Sequence, residues 1–127
     1  MKTIIAAITF FFAFIIESSA QSPEALKSMR IGKFTYQGEE GKVEIIRTAS
    51  EQTEIYNDGK SKGVLDISWL SDTEYVLTLK ASENASGCIK TGDIIRTKIL
   101  NCEGNKYYYE SSSVTCGQDS NTIIKVE

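Results

Sequence analysis

From Gly32 onward the chain alternates apolar and polar residues with a period of two, and Gly, Asn, Asp and Ser break the alternation at short intervals. No other feature constrains the fold as strongly. A period of two sends successive side chains to opposite faces of a strand, and closely spaced turns leave no room for crossover helices. Pro23 is the only proline, so nothing after it removes a donor from a strand ladder. Strands are expected at residues 32–37, 42–48, 51–56, 64–69, 74–80, 93–100, 106–112 and 122–126. Short links between them require neighbours to pair antiparallel.

The alternation also assigns an inner face. Phe34 and Tyr36, Leu65, Ile67 and Trp69, Tyr75, Leu77 and Leu79, Tyr107 and Tyr109, and Ile124 and Val126 fall on one side. Thr35, Asp66, Ser68, Thr78, Lys106, Glu110 and Lys125 fall on the other. One apolar face and one wet face describe an all-β antiparallel meander of about eight strands. It closes into a small lipocalin-like up-and-down barrel or remains a strongly curved sheet. Ahead of it, residues 22–29 read as one short N-terminal helix, with Ser22 as cap, Pro23 in the first turn and Glu24 at the positive end. The helix is expected to cover an open edge or end of the sheet.

Residues 1–20 have the layout of a signal peptide. Lys2 supplies a positive start, residues 4–16 are an apolar run broken only by Thr9, and Ser18, Ser19 and Ala20 supply small residues before Gln21. The run falls short of the ~18–20 residues needed to cross a bilayer, and Gln21 stands where a lipoprotein would carry cysteine. The expectation is an exported protein, periplasmic or secreted, with residues 21–127 as a single β domain and no membrane anchor after cleavage. A net charge of −3 disfavours nucleic acid as a partner, because phosphate recognition relies on clustered Lys and Arg. The chain contains no histidine, which removes the commonest general base and zinc ligand together. No catalytic spacing is recognisable, no cofactor is implied, and the chain reads as non-enzymatic.

Three cysteines in an oxidising compartment allow one disulfide and leave one thiol. If Leu100 faces Lys106 across a turn at residues 101–105, Cys88 and Cys116 both lie beyond the open end of that hairpin. Cys102 lies at its closed tip. A Cys88–Cys116 bridge follows, closing a loop worth ~3 kcal/mol. Three separated cysteines without histidine do not make a metal site.

Two sets of residues are candidates for ligand contact. A turn at Ala49 and Ser50 sets Arg47 opposite Gln52 and diagonal to Glu54. If Val43 and Ile45 point inward, so do Arg47, Gln52 and Glu54, and a guanidinium beside a carboxylate and an amide can hold a polar ligand group. The opposite face, with Ile46, Thr48, Thr53 and Ile55, is also apolar enough to be the inner one. Tyr36, Trp69, Tyr75, Tyr107 and Tyr109 form the second set, able either to wall a pocket or to fill the core.

The ordered set Gly32-Lys33-Phe34, Arg47 with Gln52 and Glu54, Ile67-Ser68-Trp69, Glu74-Tyr75-Val76-Leu77 and Gly104-Asn105-Lys106-Tyr107-Tyr108 resembles a group of small exported flavobacterial β-sheet proteins. The likeness spans most of residues 31–126 and the leader. Members of that group often carry the label "DNA topoisomerase IV", which does not suit an acidic, exported chain of this length. Many relatives look like lipoproteins, and this chain departs from them at Gln21. The resemblance implies an exported β domain and supplies no catalytic residue. The leading expectation is therefore a binding module for a small apolar or amphipathic ligand. The other is an interaction, inhibitor or envelope protein with a filled core, meeting a protein partner through loops or strand edges.

Overall fold

Eight antiparallel strands follow one another in chain order and close on themselves, β1 through β8, in a barrel. The computed structural model describes residues 22–39 and 41–127; the expected signal peptide lies outside them. Helix α1 (Pro23–Lys27) precedes β1 (Gly32–Gly38), β2 (Gly41–Arg47), β3 (Glu51–Tyr56) and β4 (Ser61–Trp69). The second half contains β5 (Glu74–Glu83), β6 (Ile94–Glu103), β7 (Lys106–Ser113) and β8 (Gly117–Lys125). The all-β meander is thus a closed barrel rather than an open curved sheet.

An up-and-down path places alternate turns at the same end. The turns after β1, β3, β5 and β7 lie together at one end, the mouth. The turns after β2, β4 and β6 lie at the other, beside the helix and the C-terminus. At the mouth, the turn after β3 needs positive φ at Asn57, Asp58 and Gly59 (53°, 55° and 83°), which Asn, Asp and Gly tolerate best. Asn84, also at positive φ, ties the turns after β3 and β5 together by donating to the Lys60 carbonyl at 2.9 Å.

Ser22 caps α1 as expected, its hydroxyl accepting from the Ala25 amide at 3.2 Å. The helix covers an end, not an edge: Leu26 and Met29 are buried in the same core as Phe34, Ile45, Ile99, Cys102 and Tyr107. Cys102 is the free thiol. Burial pushes its pKa up, so at the sealed end it packs as a small apolar residue.

Two readings of the sequence are corrected. Ile124 and Val126 face solvent, at 38% and 59% exposure, and Ile123 is the buried residue. Strand β8 begins at Gly117, not near 122, and pairs Tyr107 with Ile123 and Tyr109 with Asn121. Directly paired residues share a face, so Ile123 joins the tyrosines inside. The β6–β7 hairpin is also longer than expected. Glu103, not Leu100, faces Lys106, and the turn narrows to Gly104 and Asn105 with Gly104 at φ 61°.

Closure is confined. The β1–β8 ladder registers at Phe34–Lys125 and Thr35–Ile124, supplemented by Val126 donating its amide to the Lys33 carbonyl at 2.8 Å. Gly32 is required at this seam: a Cβ there would lie 2.8 Å from Lys125 Cε and 2.9 Å from the Glu127 carbonyl oxygen.

The Cys88–Cys116 disulfide forms across the mouth, linking the loop after β5 to the turn after β7 over 28 positions. Replacing both cysteines with serine is expected to lower stability by about 3 kcal/mol, read from urea denaturation; an unchanged midpoint would show that the bridge does not constrain the unfolded chain.

Candidate functional site

The hairpin between β2 and β3 fixes the central side chains. Thr48 holds its turn, its hydroxyl accepting from the Glu51 amide at 3.1 Å and its own amide donating to the Glu51 carbonyl at 2.9 Å. That turn sets Arg47 opposite Gln52 and Ile45 opposite Glu54. Val43, Ile45 and Arg47 are buried while Ile46 is 40% exposed. The inner face is therefore the one that carries Arg47, Gln52 and Glu54.

Arg47 is 1% exposed and its guanidinium is bonded on all three nitrogens. Nε donates to Gln52 Oε1 at 2.9 Å and Nη1 to the Met29 carbonyl at 2.7 Å. Nη2 reaches the Tyr107 hydroxyl at 3.0 Å and the Tyr75 hydroxyl at 3.5 Å. Those two hydroxyls share a hydrogen bond of 2.9 Å. Aromatic faces surround the cation, with Phe34 at 4.7 Å and Tyr75 at 5.1 Å from it. Burial alone would lower the pKa of Arg47; the Tyr107 and Tyr75 hydroxyls more than offset this and hold the charge.

Gln52 transmits this order upward. With Oε1 taken by Arg47, its Nε2 donates to Glu54 Oε2 at 2.8 Å. The amide is thus oriented as a neutral spacer between a cation and a carboxyl. The Tyr36 hydroxyl stands near the Glu54 carboxyl and favours its charged form. Burial raises its pKa above the ordinary carboxyl range, with Gln52, Arg47 and Tyr36 opposing that rise. Burial likewise pushes up the phenols of Tyr36 and Tyr109, and the nearby Glu54 and Asp119 add to the effect.

Above this network the barrel is open. One cavity of about 560 Å³ is lined by Ile45, Gln52, Glu54, Tyr75, Leu77, Thr97, Tyr109 and Ile123, with Asp119, Asn121 and the disulfide higher up. A second, of about 370 Å³, adjoins it through Tyr36, Glu54, Ile89 and Ile95. Val43, Tyr56, Leu65 and Leu79 wall this second space. Together they form a cup with Gln52, Glu54 and Tyr75 at its floor.

The structure divides the residues expected from sequence. Tyr36, Gln52, Glu54, Tyr75 and Tyr109 line the cup. Arg47 and Tyr107 lie beneath the floor, engaged with protein atoms. Trp69 sits at the sealed end, its ring tilted against Tyr75 at 4.6 Å and 5.0 Å from the Arg30 guanidinium. Sequence periodicity did not reveal Ile95, Thr97, Asp119 or Asn121 as lining residues. Asp119 and Asn121 belong to a polar stretch without alternation, and only its pairing with β7 turns it inward. Among the described residues, no group of three or more His, Cys, Asp or Glu is placed to hold a metal. Comparison with protein-family models, curated proteins and solved structures yields no match.

Arg47→Met is expected to lower stability by about 3–5 kcal/mol, because it strands the Met29 carbonyl, Gln52 and two buried hydroxyls. Urea denaturation measures the loss, and a loss under about 1 kcal/mol would contradict this role for the cation. Glu54 carries a pH signature. A carboxyl whose folded pKa exceeds its unfolded value binds the proton more tightly when folded, so its contribution is greatest at low pH. That contribution fades as pH rises from the unfolded pKa through the folded one. Melting temperatures across that window should therefore fall for the native chain relative to Glu54→Gln. Parallel curves would mean that Gln52, Arg47 and Tyr36 balance the desolvation completely.

Proposed function

We propose that this chain is an exported carrier, periplasmic or secreted, that holds one small amphipathic molecule in the open half of its barrel. The observation that carries this reading is the cup: about 560 Å³ with an adjoining 370 Å³, within the usual size of ligand sites. Its walls combine apolar residues with a few converging polar groups, the composition expected of a small-molecule pocket. The alternative, an interaction protein with a filled core, accounts for the lower half of the barrel but not for the hollow upper half.

Other features support the reading without carrying it. The disulfide at the mouth suits an oxidising compartment, in keeping with the leader-like residues 1–20 and the resemblance to exported flavobacterial β proteins. The polar groups of the floor bond mainly to one another, and no nucleophile and base stand paired there, which suits storage or transport rather than turnover. The bound molecule would bring no cofactor chemistry, and the charged groups of the cup are acidic, which disfavours nucleic acid.

Native mass spectrometry of the protein purified from its own host tests the reading. The expected result is a protein peak carrying the mass of one small molecule, absent from a Leu79→Trp variant whose indole fills the cup. Titration with the neutral fluorescent dye N-phenylnaphthylamine serves as a second measurement. A chain that emerges unliganded and leaves the dye dark in both forms would overturn the carrier reading.

A further inference from the structure

The charges around the cup are one-sided. Among its described lining residues, the charged ones are Glu39, Glu54 and Asp119, and none is Lys or Arg. Glu39 and Asp119 are exposed at the rim, where water and salt screen them. Glu54 is different: it stands at the floor where the two cavities meet, and the local dielectric there is low. Arg47, the one cation near it, is separated from the cup by Gln52 and spends its donors on Met29, Gln52 and the two tyrosine hydroxyls.

We infer that the carried molecule has a protonated amine head that pairs with Glu54 and an apolar body lying against Val43, Leu65 and Leu79. A carboxylate offers about four acceptor positions. Gln52 takes part of that capacity, and the remainder faces the cup. An ammonium supplies donors only, so it complements this floor. An anionic head would meet Glu54 with no cation in reach. The second cavity begins at Glu54 and runs along the apolar side chains, so head and body have adjoining places. The inference rests on the carrier reading and specifies its ligand.

Three probes of equal chain length separate the possibilities: decylamine, decanol and decanoate, each titrated below its micellar concentration by calorimetry against the full exported protein. Decylamine should bind at least about tenfold more tightly than decanol, and decanoate most weakly. Glu54→Gln, which keeps an oxygen for Gln52 to donate to, should erase the amine's advantage and leave decanol unchanged. Asp119→Asn should leave the order intact, and melting curves of both variants report whether they are folded. Equal binding of amine and decanoate, or an amine preference that survives Glu54→Gln, would overturn the inference and leave the carrier reading standing. Failure of all three probes to bind would instead count against the carrier reading itself.

Discussion

A guanidinium buried at 1% exposure must recover in bonds what it loses in water, and the sealed half of this barrel is arranged around that requirement. Removing such a group from solvent costs several kcal/mol even after relaxation. Each hydrogen bond to a charged group returns roughly 1.5–3 kcal/mol, so one or two would not suffice. Arg47 obtains its partners from three strands and the segment after the helix: Gln52 on β3, Tyr75 on β5, Tyr107 on β7, and the Met29 carbonyl just after α1. The helix is thereby held over the barrel end by its backbone as well as by Leu26 and Met29. Closure of the base and neutralisation of the cation are one event.

The same interaction shapes the hollow half above it. Because Arg47 takes the oxygen of Gln52, the amide nitrogen must face upward, and Glu54 is held at the floor by it. A guanidinium and a carboxyl stand on either side of a neutral amide, one dry and one facing the cup. The Arg47 guanidinium is therefore bonded on all three nitrogens while the floor retains unused acceptor capacity. The bonded cation and the open cup occupy different halves of the barrel, joined by a single glutamine.

Much of this arrangement was legible in the sequence where hairpins are short. The tight turn at residues 48–50 leaves little freedom in register, so Arg47, Gln52 and Glu54 could be set side by side from spacing alone. The burial of Ile45 against the exposure of Ile46 then decided between two faces that spacing could not rank. Strand β8 was not legible. Gly117 through Thr122 are nearly all polar, since that part of the strand borders the cup and its mouth rather than the packed base, and no alternation marks it. The role of Arg47 was equally hidden, because its partners run from Met29 to Tyr107 and meet only when the ring has closed.

The seam between β1 and β8 has a mechanical meaning. Every other ladder joins strands adjacent in the chain, whereas this one joins the two ends of the β sequence. Near the base it is well latched, with Lys125 donating to the Ser28 carbonyl at 2.6 Å and Val126 to Lys33. Higher up, the strands are bridged by the Asn121 amide reaching the Gln37 carbonyl at 2.9 Å. The barrel thus resembles a rolled leaf pinned at its stem. Any widening of the mouth that spares the base meets least resistance along this line, as a slit between residues 36–38 and 117–122, while the disulfide ties the β8 lip of that slit to the loop after β5.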